Sequence, residues 1–513
     1  MLRLSRWLWA VSSSCVLACA QTIAPGAVAT EPSVVRAPGP PPPSAAGPNG
    51  IAYRVRTDAE LKRMSVELCL KGAAPQRLVY GSQPSVEFLR EPRLVSEAGQ
   101  ALASPRVLNV VEGQIDLTGV NADACLEYAI DLRAAVTNGR SLVAYPCLHG
   151  LVTSTELFLW RPPRRAAGFT AQVRFELPAG LQVSVPWREQ AGVYTLDETA
   201  FSFTGHALFG RFWREEIAVP SATISVVSPE GYSDAQRKLI TAWITNAGNV
   251  VSLATGRFPI ERAQVIVLPT GGFRFGHTGR SGGASVLFFI PDDVGPENLR
   301  NDWIAIHEFS HLLHPFVQRE DAWLSEGLAT YLQEVLRVRA GMMSAEDAWR
   351  RLYEGAALGR DADGSLGSET QRMPYAGNYR TVYWAGAAIA LMVDVELRMR
   401  SGGRESLDSA LAVVSKRPEL MSKPATAESL LAGLDESVGG RTCRDVAQRY
   451  LAGRTLPDLA DLYRQLGLLD AAAPTPTPGP VQLKRHANAP LAWIRDAIMA
   501  AHEARAQSSP FGG

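Results

Sequence analysis

Between residues 51 and 225 apolar and polar positions alternate in short runs. Examples are Met-Ser-Val-Glu-Leu-Cys-Leu at 64–70, Leu-Glu-Tyr-Ala-Ile-Asp-Leu at 126–132, Leu-Phe-Leu-Trp at 157–160 and Ala-Gln-Val-Arg-Phe-Glu-Leu at 171–177, separated by Gly, Pro and Asn. A period of two sends successive side chains to opposite faces of a strand, so this region predicts a β-sandwich domain. After 226 the pattern becomes mixed. A helix is expected over 232–253, β runs at 263–269 and 284–290, and helices throughout 345–470, including 380–400 and 443–468. The expected architecture is α+β and multidomain: a β-sandwich at 51–225, an α/β domain at 226–344 and a helical domain at 345–470.

The ends read differently. Residues 1–20 carry Arg3 and Arg6 and then a short apolar stretch, 7–20, which is too short for a membrane span of about 20 residues. This predicts an export signal. Two processing readings stand open. Ala18-Cys19-Ala20 suits release before Gln21, whereas Val-Leu-Ala-Cys at 16–19 resembles a lipobox, which would make Cys19 a lipid anchor and attach the protein to a membrane. Residues 21–50 are a Pro/Ala-rich linker with four consecutive prolines at 40–43, a composition that buries too little apolar surface to fold. Residues 471–513 are expected to hold a second linker (471–480) and a terminal helix (490–506), read as a docking or membrane-surface element.

Charge narrows the function classes. The 51 basic residues equal the 51 acidic ones, so no basic stripe argues for nucleic acid. Beyond Cys15 and Cys19, four cysteines remain, at 69, 125, 147 and 443. The preferred bridge is Cys125 with Cys147, and the competing reading is four free thiols. His149 and His206 are read as structural. The six glycines of 271–283 lack the Gly-Lys-Ser/Thr of a phosphate loop and are read as a mobile hairpin beside the cleft.

The chemistry concentrates at 302–334. His307-Glu308-x-x-His311 places two imidazoles about 40° apart in rotation and about 6 Å apart in rise on one helix, a spacing that suits two ligands of one Zn²⁺. Asn301 or Asp302 is the expected cap, and Pro315 disfavours helix at His314, where the helix should stop. A second helix capped by Asp321 would supply Glu326 as third ligand and leave one position for water. Glu308 points about 100° away from the ligand face, placed to take a proton. His314 is read as supporting or structural.

His-Glu-Phe-Ser-His followed by Trp-Leu-Ser-Glu-Gly-Leu-Ala-Thr-Tyr at 323–331 resembles the gluzincin zinc peptidases, whose third ligand is the Glu of a Trp-Leu-x-Glu-Gly motif. Tyr-Trp-Ala-Gly at 383–386, the run that follows to 398, and Ser-Leu-Asp-Ser-Ala-Leu at 406–411 are similar to the glycyl aminopeptidase family. The resemblance spans about 283–412. It implies a thermolysin-like zinc peptidase domain at 226–344, a helical domain that completes the cleft, and a peptide or protein substrate. It also implies Zn²⁺ on His307, His311 and Glu326, Glu308 as general base, and Tyr383 as the donor to the oxyanion, with Tyr379 as the fallback. An edge strand before the motif helix would hydrogen-bond substrate through Gly283, Ala284 and Ser285. The chain departs from the family in carrying no acid at 282–286, where relatives bind the substrate's free amine, and in leaving no room for a later PDZ module. Endopeptidase and exopeptidase action both stay open. So does a different class, a surface binding protein on a degenerate peptidase fold.

Overall fold

The computed structural model describes residues 50–81, 84–138, 143–165, 168–272, 274–358, 364–451, 453, 456–470 and 481–500. The expected export signal, nearly all of the 21–50 linker, the 471–480 linker and the last residues of the expected terminal helix lie outside these.

Alternation does its predicted work at the N-terminal end. An eight-stranded sheet runs in the order Arg188–Gln190, Val193–Leu196, Ala171–Glu176, Ile51–Thr57, Arg63–Leu70, Cys125–Asp131, Leu89–Glu97, Gln100–Val107. A four-stranded sheet follows: Gln182–Ser184, His206–Gly210, Gly150–Ser154, Ala144–Cys147. The two strands at the centre of this smaller sheet are apolar on both faces. Leu151, Ala207 and Phe209 join the core under the large sheet, whereas Val152 and Leu208 join a second core against Ile266, Leu268, Leu287 and Phe289. The small sheet is therefore a middle layer, sandwiched between the N-terminal sheet and the sheet that carries the site.

That third sheet has the order Phe212–Val219, Ala222–Pro229, Arg262–Thr270, Ala284–Pro291, Phe275–Arg280. Its three middle strands are parallel, and the two edges, Phe212–Val219 and Phe275–Arg280, are antiparallel. The boundary expected between 225 and 226 falls inside a strand of this sheet, and the change of sheet lies at Arg211. Helix Asp234–Ser252 covers one face, its start fixed by a capping box between Ser233 and Gln236. Among the described residues, the segment from Ala345 to Gln465 is helical, as its period predicts, in eight helices.

Several expectations change. Leu157 to Trp160 is not a strand: a single 3-10 turn, Thr155–Leu157, leads into a segment in which Leu157, Phe158, Leu159 and Trp160 are all buried. Continuous burial, rather than alternation, is what four adjacent apolar residues report. The disulfide joins Cys69 to Cys125, not Cys125 to Cys147. Cys69 and Cys125 sit directly opposite each other on neighbouring antiparallel strands, whereas Cys147 lies in the middle layer, packed against the second core. The terminal helix, Ala492–Met499, buries Ile494 and Ile498 in the core around the site helices, so its apolar face is already occupied. Among the described residues, no helix is long and apolar enough to cross a membrane.

Candidate metal centre

The motif helix, Ile304–Ser310, is short because its ends are specified. Asp302 accepts from the backbone N–H groups of Ile304 (3.0 Å) and Ala305 (3.3 Å), as expected of the cap. One 3-10 turn, His311–Leu313, continues it, and His314 is extended before Pro315. The second site helix, Ala322–Arg339, starts as expected but without a side-chain cap. Asp321 instead accepts from the Ala427 N–H at 2.7 Å, which ties this corner to the helical domain.

The three sequence-predicted ligands converge. Nε2 of His307 lies 3.2 Å and Nε2 of His311 3.5 Å from Glu326 Oε2, and the ligand-type atoms of all three residues fall within 4.8 Å of one another. Donors on a tetrahedral zinc, at bonds of about 2.0–2.1 Å, stand about 3.3 Å apart, so the two measured spacings fit one such ion. The tautomer fits as well. Gln333 donates its Nε2 to Glu334 (2.9 Å), which turns its Oε1 to accept from Nδ1 of His307 (2.8 Å). The proton therefore sits on Nδ1 and the Nε2 lone pair faces inward. Ser325 bonds Nδ1 of His311 in the same manner, at 3.0 Å.

Electrostatics agree with the donor set. Burial pushes the Glu326 carboxyl up, but His311 and His307 outweigh it and hold it well below the usual carboxylate range. Burial would lower His307, yet Glu326, Glu308 and Gln333 leave it raised. A fixed negative charge between two imidazoles is the arrangement a divalent cation needs. The other group of metal-ligand type among the described residues, Glu67 with Cys69 and Cys125, has both its sulfurs tied up in the disulfide.

Glu308 projects toward the edge strand, whose alternate residues all touch the motif helix. A Cβ at Gly276 would lie 2.4 Å from Glu308 Cγ, so any larger residue there would displace the Glu308 side chain. The Thr278 hydroxyl lies within donating distance of both the Glu308 backbone carbonyl (2.8 Å) and Glu308 Oε2 (2.9 Å). Arg280 donates to the carbonyls of His311 (2.6 Å) and His314, at the end of the helix. The opposite face of the strand looks into the middle layer, where His277 bonds the buried His206 at 3.1 Å. His206 is thus structural, as expected, and His149 is exposed, 3.8 Å from Glu230. His314 is buried, and its Nδ1 bonds the Pro315 carbonyl.

This geometry corrects the expected substrate strand. Ala284 and Ser285 lie on an interior strand paired on both sides, and Gly283 sits in the turn before it, where a Cβ would meet the Pro186 carbonyl. Ser285 is buried, and its hydroxyl lies 3.0 Å from Gln264 Oε1. The edge beside the site belongs to 275–280, within the stretch read as a mobile hairpin, and it is closed at Arg280, whose backbone N–H bonds the Thr204 carbonyl at 2.7 Å.

Tyr383 arrives from the helix Tyr379–Ser401. Its ring stacks parallel to His307, with centroids 5.9 Å apart, and Tyr379 stands edge-on behind it at 6.3 Å. Burial, followed by Glu326 and Glu308, pushes the phenol well above its ordinary pKa. The position is set by two glycines. Gly327 and Gly386 cross so closely that a Cβ at Gly386 would lie 2.1 Å from the Trp323 carbonyl oxygen. Glu326 adjoins one glycine and Tyr383 stands one turn before the other.

Reasoning from the sequence missed Gln333, Ser325, Gly276 and Thr278. Gln333 lies seven residues after Glu326 and so on the same helix face, a readable signal. Gly276 and Thr278 become visible only once the edge strand is known.

Together these features define a three-layer α+β protein with a preformed two-imidazole, one-carboxylate site beside a sheet edge. Comparison with solved structures points the same way. The chain superposes on an aminopeptidase N family protein from Idiomarina loihiensis with a TM-score of 0.62 at 15% identity, covering 81% of this chain and 78% of that one. It superposes on an M1 zinc metallopeptidase from Deinococcus radiodurans with a TM-score of 0.51 at 17% identity, covering 80% and 94%. At these identities the likeness establishes a shared fold, that of the M1 zinc metallopeptidases. No protein-family model and no curated protein matches the sequence.

Proposed function

We propose that this chain is an exported zinc-dependent peptidase that hydrolyses peptide bonds with Glu308 as general base. The observation that carries the reading is the convergence of His307, His311 and Glu326 within 4.8 Å, with both Nδ1 atoms bonded away from the centre. Zinc held there would lower the pKa of a bound water to about 7 and polarise the scissile carbonyl. The Glu308 carboxylate, with the Thr278 hydroxyl within 2.9 Å of its Oε2, would take the proton of the attacking water and pass it to the leaving amine. Tyr383, kept protonated by burial and two carboxylates, donates to the oxygen where negative charge develops. The edge at 275–280 offers main-chain groups to an extended peptide.

The resemblance to glycyl aminopeptidases would add recognition of a free amine by a carboxylate. The strand that forms the edge, Phe-Gly-His-Thr-Gly-Arg, carries no acid, which favours cleavage within a chain over removal of its first residue. The Cys69–Cys125 disulfide supports export to an oxidising compartment, and anchoring through Cys19 belongs to the same proposal. The alternative, a binding protein on a retired site, is disfavoured by an intact Glu308 with a glycine opposite and a threonine within reach of one oxygen.

The test is Glu308→Gln in the full chain. It should retain about one zinc per chain and lose hydrolysis of a casein-derived peptide mixture by about 10²–10⁴-fold. Undiminished cleavage in this variant would remove Glu308 from the mechanism, and absence of cleavage by the zinc-loaded parent would favour the binding protein.

A further inference from the structure

Trp303 is a large apolar side chain left open beside the candidate site. Trp160, Trp243, Trp323 and Trp349 are all buried, at 3% exposure or less, whereas Trp303 is 38% exposed. It occupies the residue just before the motif helix, four before His307 and eight before His311, and so stands on the face that carries the two imidazoles. Its ring meets the His307 ring edge-to-face, with centroids 5.7 Å apart at 85°. The indole thus stands upright against the ring of a candidate ligand, with more than a third of its surface open.

A large apolar surface left open beside a reaction centre is one a bound ligand covers. Resting on the peptidase reading above, we propose that Trp303 is a specificity-determining residue: it forms one wall of a subsite for an aromatic or large aliphatic side chain next to the scissile bond. A peptide bond placed within reach of Glu308 and the two Nε2 atoms has its neighbouring side chain within reach of this ring. The indole presents no charge to it, so burial against the ring, rather than ion pairing, sets the preference.

The experiment uses paired peptides that differ only in having Phe or Ala beside one cleavage site. The parent should cleave the Phe peptide faster, and the Phe/Ala ratio of kcat/KM should fall about tenfold or more in Trp303→Ala and recover in Trp303→Phe. Trp493→Ala, an equally exposed tryptophan on the terminal helix, controls for loss of aromatic surface elsewhere. Binding is read separately by calorimetry with Glu308→Gln and Glu308→Gln/Trp303→Ala, where the Phe peptide alone should lose affinity on removing the indole. An unchanged Phe/Ala ratio, or an equal affinity loss for both peptides, overturns the subsite. Failure of the zinc-loaded parent to cleave either peptide overturns the peptidase reading instead, and the calorimetric preference then stands or falls by itself.

Discussion

Gln333 determines how His307 presents itself. A neutral imidazole has one donor and one acceptor nitrogen, and the acceptor on Gln333 claims the donor. Replacing it by leucine removes the group that sets the tautomer, and the neighbouring Glu334 keeps its pairing with Arg337. Gln333→Leu should weaken zinc binding by about 10–100-fold, measured by competition with a chromogenic chelator, and an unchanged affinity would show that His307 needs no such partner. His206 lends itself to a pH experiment. Burial first, and His277 second, depress it from 6.5 to about 3. In the unfolded chain it takes up a proton near pH 6.5, and in the folded chain it refuses one down to about pH 3. Its contribution is therefore present above 6.5 and is lost as pH falls through that window, amounting to about 2 kcal/mol by pH 5. Urea midpoints for the parent should drop between about pH 7 and pH 5, and His206→Gln should flatten that slope. An identical slope in the variant would place the acid sensitivity elsewhere.

At the scale of elements, two helices bring Glu326 and Tyr383 together, and they can do so because Gly327 and Gly386 let their backbones touch. The atoms in the way of a Gly386→Ala methyl are main-chain atoms, which do not swing aside. That substitution should cost about 1–3 kcal/mol or more through overpacking. It should lower kcat further than the parent loses activity at a matched fraction folded, since it moves the phenol. Thermal melts with kcat on the surviving fold check both, and a variant with parental melting temperature and kcat would refute the crossing. Much of this arrangement was legible in the sequence. His307, Glu308 and His311 announce themselves by helical spacing, Glu326 by its place in Trp-Leu-Ser-Glu-Gly on the expected second helix, Pro315 marks the stop, and the 380–400 run announces a buried helix. What was not legible depends on pairing. The continuous apolar run at 284–291 is itself the mark of an interior strand. The glycines at 276 and 279 hide the edge at 275–280, which shows as a strand only through its antiparallel pairing with 284–289, a tertiary fact. The same holds for the disulfide: Cys69 and Cys125 are far apart in sequence and become neighbours only through strand register.

The whole molecule has two large cores that do not share residues, one under the N-terminal sheet and one around the site helices, with a thin apolar layer between. The helical core is tied internally by buried charge. Arg339 pairs with Asp408, Arg398 with Asp394 and Asp408, and Arg339 also donates to the Ile498 carbonyl of the terminal helix. The N-terminal core is tied instead by the Cys69–Cys125 disulfide, which closes a loop with a sequence separation of 56. On the chain-entropy model a loop of that size stabilises by roughly 4 kcal/mol at 25 °C. That stabilisation acts where the bridge lies, on adjacent strands of the eight-stranded sheet, and not on the candidate metal centre, whose residues sit on helices of the other core. A reducing agent, or the Cys69→Ala/Cys125→Ala pair, should therefore lower and split the calorimetric transition, with an early component from the N-terminal layer and a later one that retains zinc. Far-ultraviolet dichroism should report loss of β signal in the first step, while metal release waits for the second. A single transition that moves as one unit, with zinc lost at its midpoint, would mean that the middle layer couples the two cores into one cooperative block and that the disulfide guards the site after all.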